Sequence, residues 1–286
     1  MITLFMTTIS HSFPTLRNQL LKKWYQYLAG TYRNKEWTFM NFGYAPNGSH
    51  NQEVHFDEKN SDNKYGINLY HLVAGSVNLR DLDVLEISSG RGGGAEYIKR
   101  NLKPRILVGV DSSENAVAFC NQRYRTKGLF FKTADALSLP FQNESFDVVI
   151  NVESSHCYNS MNVFLNQVMR VLRAGGYFLY ADFRASDKVN HLRQSIQDAG
   201  FLLIKETDIT DNVYRSLTFD SDKKMALIND TIHKPFVKLF CEFAAIKGTR
   251  TYEKFRSRKL RYLSFVLQKK ELNFKTESEK TCSEKK

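Results

Sequence analysis

Three features of this 286-residue sequence predict an α/β fold with a mostly parallel, seven-stranded sheet. From Leu82 onward, short runs rich in β-branched residues alternate with stretches of helical period. A glycine-rich turn joins the first of these runs to the next helical stretch, and glycines also stand where later helical stretches end. This alternation is typical of a Rossmann-like sheet with helices on both faces.

The elements follow one another in order along this part of the chain. The seven strands are expected at about 82–88, 105–111, 129–135, 145–154, 176–184, 201–210 and 258–270. Apolar and polar residues alternate along the last of these strands, which predicts that it pairs at the edge of the sheet. The intervening helices are expected at about 92–102, 112–128, 162–176 and 188–200, the second capped by Ser112 or Ser113.

The remaining segments surround this domain, which spans residues 82–270. Residues 1–81 are aromatic, Asn-rich and irregular, and we expect an N-terminal helical cap there that binds substrate. Residues 210–247 have helical period and form an insertion before the last strand, so we expect them to cover the same end of the sheet. Residues 271–286 are polar and predict a disordered tail.

The composition excludes several classes of protein. With 42% hydrophobic residues the chain can bury a real core, which argues against global disorder. No run approaches the roughly 20 apolar residues that a membrane span needs. The four cysteines show no CxxC pair and no nearby His at zinc spacing, and no HExxH motif occurs, so we expect no metal site. A cytoplasmic, reducing environment fits this pattern best.

The net charge of +11 is concentrated near the C-terminus. Residues 247–270 hold nine basic residues and one acidic residue, and a second basic patch at 17–37 is interleaved with Trp and Tyr. Such patches can mark nucleic acid, an anionic membrane or an acidic substrate, or simply form a solvated surface. No RNA-binding module and no motif for a flipped base accompany them, which argues against nucleic acid. Two hypotheses stay open for 247–270, a solvated basic surface and peripheral contact with an anionic membrane.

The strongest signal for a ligand is the turn "VLEISSGRGGGAEYI". Here Glu86 precedes Gly90 and Gly92, and the turn suits either a dinucleotide pyrophosphate or the amino-acid and ribose part of S-adenosylmethionine. A carboxylate would repel a pyrophosphate but attract a cationic amino group, which favours S-adenosylmethionine. Asp111 ends the second strand, where an acid can accept hydrogen bonds from ribose hydroxyls, and Asp135 follows the third strand in position to meet an adenine amino group.

These motifs, in this order, resemble class I S-adenosylmethionine-dependent methyltransferases. The segments "GGGAEYI", "NVESSHCY", "RVLRAGGYFLYADFR" and "WTFMNFGY" look like those of the phthiotriol and phenolphthiotriol dimycocerosate methyltransferases and the fatty-acid O-methyltransferases. Those families methylate hydroxyl or carboxyl oxygens on lipids. The resemblance implies S-adenosyl-L-methionine as the cofactor.

The resemblance also implies which residues contact this cofactor. The methionine end of the cofactor would contact the glycine-rich turn after the first strand. The ribose would contact the end of the second strand, and the adenine would contact the end of the third strand. Residues of the fourth strand and of the N-terminal cap would also contact the cofactor. The residues concerned are, in that order, Glu86, Ser88, Gly90, Arg91 and Gly92; Asp111 and Ser112; Asp135 and Ala136; Asn151; and Tyr44.

His156 and Asp182 are the candidate catalytic residues. A methyl acceptor must approach in line, and a hydroxyl must also lose its proton, whereas a carboxylate needs no base. His156 follows the fourth strand and Asp182 ends the fifth, so both lie at the carboxyl edge, where a carboxylate can orient an imidazole as general base. Sugar O-methyltransferases of the same broad group place a His and an Asp in these two motifs. Glu153 is an alternative base, and His156 can also be a polar loop residue that packs against the cap.

The sequence thus predicts an O-methyltransferase that acts on a hydroxyl of a hydrophobic small molecule or lipid. The alternatives are a carboxyl O-methyltransferase of fatty acids, an RNA or small-molecule N- or C-methyltransferase, and a catalytically dead protein that binds lipid membranes. Several aromatic residues fit either the core or a pocket, and an apolar acceptor follows if they line a pocket. They are Trp37, Phe42, Tyr44, Phe236, Phe240 and Phe243.

Overall fold

The computed structural model describes residues 38–47 and 63–271. Its strands are β1 (Asp83–Ile87), β2 (Ile106–Asp111), β3 (Leu129–Thr133), β4 (Phe146–Val152), β5 (Leu172–Ala185), β6 (Leu202–Asp208) and β7 (Leu260–Gln268). Its helices are α1 (Lys64–Ala74), α2 (Gly93–Asn101), α3 (Glu114–Arg123), α4 (Met161–Val171), α5 (Val189–Asp198), α6 (Thr210–Thr231), α7 (Lys234–Phe243) and α8 (Arg250–Arg256). Short 3₁₀ turns occupy Ser155–Cys157 and Ser186–Lys188.

The strands form one seven-stranded sheet in the order β3-β2-β1-β4-β5-β7-β6. Strands β1 to β5 are parallel, and β7 runs antiparallel to both β5 and β6. The predicted Rossmann-like, mostly parallel sheet is therefore confirmed. The order reverses between β1 and β4, and ligands bind at the carboxyl ends of strands at such a switch point. Register places Ile87 opposite Asn151 there.

The position expected for the last strand was wrong. β7 lies between β5 and β6, and the open edge on this side belongs to β6. Six consecutive residues of β7, from Tyr262 to Leu267, are buried, whereas Leu203 and Ile204 of β6 are each 55% exposed. A continuous buried run is typical of an inner strand covered on both faces, and that feature outweighs the partial alternation in the sequence.

The end of the helix before β5 also differs from the expectation. α4 begins after Ser160, whose hydroxyl caps it, and ends at Val171, so Gly175 lies inside the strand and does not stop the helix. Gly175 has φ +75° and its N–H donates to the Lys269 carbonyl at 3.0 Å. The glycine therefore serves a left-handed bend in β5 beside β7. For α3, the cap is Ser113, whose Oγ accepts the N–H of Ala116.

The core lies on both faces of the sheet. Alternate residues of the central strands point to opposite sides, so Ile150 and Leu179 pack with α1, α2, α6 and α8. Val149 and Phe178 pack with α4 and α5 on the other face. All four residues are 0% exposed. The carboxyl ends of β1, β2, β4 and β5 lie side by side at one edge of the sheet between these two layers, and together they form a platform.

Short segments cover this platform. Residues 38–47 have no regular secondary structure and lie between α1 and α6, because Tyr44 N–H donates to the Tyr65 carbonyl and Ala45 N–H to the Asn212 carbonyl. The insertion expected at 210–247 contains helices α6 and α7. Of the predicted N-terminal cap, residues 1–37 and 48–62 lie outside the described residues, as does the tail beyond residue 271. Within 38–47 and 63–271, none of the helices has the length and apolar content to cross a membrane.

Candidate active site at the carboxyl edge of the sheet

Glu86 occupies the centre of this edge, near the end of β1, and is 1% exposed. The Tyr70 hydroxyl donates to Oε1 at 2.7 Å, whereas Oε2 is buried without a hydrogen-bond partner among the described residues. Burial raises the pKa of Glu86 to about 7, although the hydrogen bond from Tyr70 lowers it. A cationic group beside Oε2 would satisfy this oxygen and favour the ionised carboxylate.

The turn after β1 has the open backbone that a ligand requires. Ser88, Gly90 and Gly92 all have left-handed φ values, of +59°, +54° and +76°. A Cβ on Gly92 would lie 2.7 Å from the Tyr124 ring, so only glycine fits. A Cβ on Gly90 would meet only Met40 Sδ, at 3.8 Å. The backbone at Gly90 is therefore accessible from the side of the 38–47 segment.

Asp111, at the end of β2, connects this turn to α3. Its Oδ2 accepts the N–H of Gly90 at 2.9 Å, and its Oδ1 accepts the N–H of Ser113 at 2.8 Å. Burial raises the pKa of Asp111, while these two hydrogen bonds lower it. A carboxylate has about four lone-pair sites, so Asp111 can still accept hydrogen bonds from a diol. Ser112 lies between Asp111 and the cap of α3.

Asp135 and Ala136 follow β3 beside Asp111. The Ala134 N–H donates to the Asp111 carbonyl at 3.0 Å, which brings the two strand ends together. Asp135 Oδ1 accepts the N–H of Leu137 at 2.9 Å, and Ala136 is 6% exposed. The carboxylate of Asp135 thus shapes a tight turn at the same edge of the sheet as Asp111.

Asn151, at the end of β4, is 0% exposed and joins neighbouring strands. Its Nδ2 donates to the Ile87 carbonyl at 3.0 Å and to the Tyr158 hydroxyl at 3.0 Å. The Tyr158 hydroxyl in turn lies 2.7 Å from Ser88 Oγ. Asn151 Oδ1 is buried without a hydrogen-bond partner within the described ranges.

These features fit the amino-acid end of S-adenosylmethionine. The buried, unpartnered Glu86 Oε2 suits an ammonium group, and Asn151 Oδ1 is a second unsatisfied acceptor on the adjacent strand. Gly90 leaves room for a ligand against the backbone. Asp111 and Asp135 continue the row of acidic groups along β2 and β3, where a ribose and an adenine would extend.

His156 and Asp182 meet as the sequence predicts. His156 Nδ1 lies 2.9 Å from Asp182 Oδ1, and the backbone N–H of His156 donates to Oδ2 at 2.9 Å. The Asp182 side chain is 0% exposed and the His156 side chain 22%. Because Asp182 accepts a hydrogen bond from Nδ1, Nε2 is the ring nitrogen that remains for a substrate.

The surroundings of Asp182 keep it ionised. Ser155 Oγ donates to Oδ2 at 2.6 Å, and Arg184 Nη1 lies 3.1 Å from the same oxygen. Burial raises the pKa of Asp182, but the cationic His156 and Arg184 outweigh burial and hold this pKa below its usual range. Burial lowers the pKa of His156, yet the Asp182 carboxylate raises it well above its usual value.

An apolar wall and a buried acid flank the imidazole. The Phe183 ring lies 4.2 Å from the His156 ring, and the Phe42 ring lies 5.4 Å from Phe183. Glu153 Oε2 accepts the N–H of Phe42 at 2.9 Å and the hydroxyl of Tyr262 at 3.0 Å. Burial raises the pKa of Glu153 to about 8. Glu153 therefore connects the 38–47 segment to β4 and β7.

Two predicted cofactor contacts have other partners in the structure. The guanidinium of Arg91 lies 3.9 Å from the centroid of the Phe119 ring, and Arg91 is 3% exposed. The Arg91 side chain therefore packs on α3, while its backbone forms part of the turn. Tyr44 is partly buried against the core, and its backbone N–H is bonded to Tyr65. Both assignments stay predictions.

Several residues of the site did not emerge from the sequence. Tyr180 and Arg184 share a face of β5 with Asp182, since residues two apart in a strand point the same way, and that spacing was an available signal. Tyr158 lies in the motif after the fourth strand, but its hydrogen bonds to Ser88 and Asn151 were not predicted. Tyr70 comes from α1, outside the regular βα pattern, and carries no local signal.

The basic C-terminal region is more neutral than its sequence indicates. Four of its nine basic side chains form ion pairs with acidic residues, and its residues are distributed over α8, β7 and the loops beside them. The pairs are Arg256 with Glu253, Arg258 with Asp208 and Asp211, Arg261 with Asp208, and Lys269 with Glu144. Contact of 247–270 with a membrane remains a prediction.

Comparison with known proteins gives matches over most of the chain. Residues 85–180 match the family described as a methyltransferase domain. The chain is 35% identical over 248 residues to the phthiotriol/phenolphthiotriol dimycocerosates methyltransferase of Mycobacterium tuberculosis, covering 86% of this chain and 90% of that protein. It is 32% identical over 253 residues to the fatty-acid O-methyltransferase of Mycolicibacterium smegmatis, covering 88% and 90%.

Solved structures share the fold at lower identity. The [4+2]-cyclase SpnF aligns with a TM-score of 0.71 and 17% identity, over 89% of this chain and 96% of that one. The geranyl diphosphate C-methyltransferase of Streptomyces coelicolor, solved with S-adenosyl-L-homocysteine, aligns with a TM-score of 0.59 and 15% identity, over 86% and 98%. At these identities the likeness shows the fold alone.

Proposed function

The chain belongs to the S-adenosylmethionine-dependent methyltransferase family that includes the phthiotriol/phenolphthiotriol dimycocerosates methyltransferases and the fatty-acid O-methyltransferase, and we propose that it methylates a hydroxyl of a hydrophobic small molecule or lipid. The 2.9 Å contact between His156 Nδ1 and Asp182 Oδ1 carries the proposal. A hydroxyl must lose a proton during methyl transfer, and an oriented imidazole can accept it.

The residues at the ends of β1 to β4 would hold the cofactor. Glu86 Oε2 would pair with the ammonium group and Asp111 with the ribose hydroxyls, while Asp135 and Ala136 border the adenine. Asn151 Oδ1 offers a further buried acceptor. When bound, S-adenosyl-L-methionine supplies a methyl group on a positively charged sulfur, which departs as a neutral thioether when an oxygen attacks.

His156 would act as the proton acceptor. Asp182 holds Nδ1–H, so the lone pair of Nε2 accepts the hydroxyl proton, and the resulting imidazolium is stabilised by the buried carboxylate. Ser155 and Arg184 keep that carboxylate in place and ionised. The raised pKa makes the neutral imidazole a stronger base but reduces its fraction at neutral pH. The rate with an alcohol acceptor should therefore rise with pH.

Glu153 is better suited to positioning than to proton transfer. Two donors, the N–H of Phe42 and the hydroxyl of Tyr262, already bind its Oε2. Both donors belong to the protein, so this oxygen is held by the fold, whereas Asp182 occupies Nδ1 of His156 and Nε2 remains for a substrate. Its contact with Phe42 instead fixes the segment that lies over the imidazole.

Two observations support an apolar methyl acceptor. Phe183 and Phe42 form an aromatic wall that begins 4.2 Å from the His156 ring. The relatives named above are a methyltransferase of phthiotriol and phenolphthiotriol dimycocerosates and one of fatty acids. A long aliphatic substrate would bury its surface against such a wall.

Carboxyl O-methylation is the second candidate, because one relative of 32% identity is a fatty-acid O-methyltransferase. A fatty acid is already ionised at neutral pH and needs no base. The two reactions therefore differ in their dependence on His156, which only the alcohol reaction requires for deprotonation.

The test begins with cofactor binding and then compares two acceptors. Calorimetry should detect binding of S-adenosylhomocysteine but not of NAD, and Asp111→Ala should weaken it strongly. Transfer of labelled methyl from S-adenosylmethionine is then measured with decan-1-ol and decanoic acid. We expect turnover of the alcohol, and His156→Asn should lower its rate by about 10²–10⁴-fold. Failure to bind S-adenosylhomocysteine would refute the methyltransferase site, and turnover of decanoic acid alone would replace the hydroxyl by a carboxyl acceptor.

A further inference from the structure

Four polar side chains at the carboxyl edge of the sheet form a hydrogen-bond network that joins the end of β4 to the turn after β1. Asn151 Nδ2 lies 2.7 Å from Ser154 Oγ. Ser154 Oγ lies 2.9 Å from the Tyr158 hydroxyl, which in turn lies 2.7 Å from Ser88 Oγ. Because the first member can only donate, the direction of every later hydrogen bond in this network can be worked out.

The orientation of the Asn151 amide sets this direction. One hydrogen of Nδ2 is donated to the Ile87 carbonyl at 3.0 Å, so the nitrogen of the amide, and not its oxygen, faces the network. The second hydrogen is shared between Ser154 Oγ at 2.7 Å and the Tyr158 oxygen at 3.0 Å. Ser154 Oγ is therefore an acceptor toward Asn151 and still has its own hydrogen to donate.

The two hydroxyl hydrogens that follow each have one place to go. Within the described ranges, the Tyr158 oxygen is the one acceptor at hydrogen-bond distance from Ser154 Oγ, so Ser154 donates to Tyr158. Tyr158 then donates its single hydrogen to Ser88 Oγ. The hydrogen of Ser88 is the last of the network, and no residue that the structure describes accepts it. Successive hydrogen bonds polarise one another, so Ser88 is a stronger donor than an isolated serine.

Ser88 lies where such a donor can reach a ligand. It follows Glu86 by two residues, in the turn after β1, and it is partly exposed. Its φ of +59° is uncommon for a residue other than glycine. A serine kept in this conformation, with its hydroxyl held by Tyr158 at 2.7 Å, indicates that the side chain has a function there.

The neighbours of Ser88 indicate which chemical group it binds. Under the proposed function, Glu86 Oε2 and Asn151 Oδ1 are the acceptors that suit the ammonium group of the cofactor. The ammonium and the carboxylate of an amino acid are attached to the same carbon, so the groups that bind them must be close together. A carboxylate needs donors, and the hydroxyl of Ser88 offers one beside these two acceptors.

We propose that Tyr158 is a positioning residue for the cofactor, because it orients the Ser88 hydroxyl as a donor to the carboxylate at the amino-acid end of S-adenosylmethionine. This inference rests on the proposed function and adds the two residues that recognise the carboxylate. Ser88 makes the contact, and Tyr158 acts through Ser88. The preference of the protein for a ligand that carries this carboxylate therefore depends on both hydroxyls.

The test is calorimetry with two ligands, S-adenosylhomocysteine and its decarboxylated analogue, which carries a 3-aminopropyl chain in place of the amino acid. Wild-type protein should bind S-adenosylhomocysteine at least about tenfold more tightly, as expected for one charge-assisted hydrogen bond. Ser88→Ala should lower this affinity ratio by about tenfold. Tyr158→Phe should lower it by about two- to fivefold, because Ser88 keeps its hydrogen but loses the partner that orients it. The affinity for the decarboxylated analogue should stay nearly the same in both variants.

Tyr97→Phe is the matched control. Tyr97 is also a buried tyrosine with a hydrogen-bonded hydroxyl, which lies 2.8 Å from His71 Nδ1 and outside the network. This variant should keep the wild-type affinity ratio. Thermal unfolding of each variant without ligand reports whether the fold is intact.

Three results would contradict the proposal. A wild-type affinity ratio close to one, or a ratio that Ser88→Ala leaves unchanged, would overturn the contact between Ser88 and the carboxylate. A Tyr158→Phe variant that keeps the wild-type ratio, including one that weakens both ligands by the same factor, would overturn the positioning role of Tyr158. Wild-type protein that binds neither ligand would instead refute the proposed function.

Discussion

The hydroxyl of Tyr70 donates a 2.7 Å hydrogen bond to Glu86 Oε1, and the ring of the same tyrosine covers Gly94. Helix α1 thereby satisfies one oxygen of the buried carboxylate and leaves the other for a ligand. A Cβ on Gly94 would lie 2.0 Å from the Tyr70 ring, so the glycine sets how closely α1 approaches α2. Under the proposed function, both cofactor affinity and the packing of α1 on α2 depend on Tyr70.

The first prediction concerns the pH dependence of cofactor affinity. Glu86 has a pKa of about 7 because it is buried, and an ammonium group beside it would lower that pKa. Binding therefore releases a proton below pH 7. The affinity for S-adenosylhomocysteine should fall as the pH drops below 7, by at most about tenfold per pH unit, and level off above it. Calorimetry at each pH measures the affinity. Repeating the titration in buffers of different ionisation enthalpy measures the number of protons released on binding.

Glu86→Gln is the control for this dependence. The variant keeps the size of the side chain but cannot ionise, so its affinity should be weaker and independent of pH across this range. A wild-type affinity that does not change between pH 6 and pH 8 would contradict the assignment of Glu86 to the ammonium group.

The second prediction is that Tyr70→Phe moves this pH dependence upward. The Tyr70 hydroxyl lowers the pKa of Glu86, so its removal should raise that pKa above 7 and shift the midpoint of the affinity curve to higher pH. The ring that packs on Gly94 is retained, and the loss of one hydrogen bond should cost about 1 kcal/mol in the free energy of unfolding. An unchanged midpoint would show that Glu86 is not the titrating group.

The third prediction concerns His156 and Asp182. His156→Asn should lower kcat for an alcohol acceptor by about 10²–10⁴-fold without changing S-adenosylhomocysteine affinity. Because the His156 pKa lies above its usual value, the wild-type kcat should rise with pH until the imidazolium has lost its proton. Full pH–rate profiles measure this. A rate that declines with rising pH would argue against an imidazole base.

The fourth prediction is that Asp182→Asn shifts the same profile in the opposite direction. Without the carboxylate, the main cause of the raised pKa of His156 is lost, so the rise in kcat should begin at lower pH. The plateau should also be lower, because the Nδ1 hydrogen bond no longer orients the ring or stabilises the imidazolium. A profile that keeps its wild-type midpoint would place the titrating base elsewhere, with Glu153 as the next residue to test.

The fifth prediction concerns packing. Gly94→Ala should lower the free energy of unfolding by roughly 1–3 kcal/mol or more, because the new methyl overlaps the Tyr70 ring. Gly248→Ala is the comparison, since φ is +88° there but no atom lies within 4 Å of the added Cβ. That variant should show only the backbone cost, of about 1–2 kcal/mol. Urea denaturation compares the two. Tyr70→Ala should lower the free energy of unfolding less in the Gly94→Ala background than in the wild type, because removal of the ring also removes the overlap.

The sequence by itself determined the parts of this protein that depend on local chain order. The alternation of strands and helices, the left-handed turn after Glu86 and the acids at the ends of β1, β2 and β3 all follow from residues close together in the chain. The meeting of His156 and Asp182 was also predictable, because parallel neighbouring strands present their carboxyl ends at one edge. These features are set by hydrophobic periodicity and backbone geometry.

Only the tertiary structure decided which distant side chains complete the site. Tyr70 reaches Glu86 from α1, and Phe42 reaches Glu153 across 111 residues. The same holds for β7, which lies inside the sheet because its two faces are buried by both core layers. Such contacts follow from how helices and strands pack, and the free energy of packing is a property of all their buried surfaces together. No short stretch of sequence contains that information.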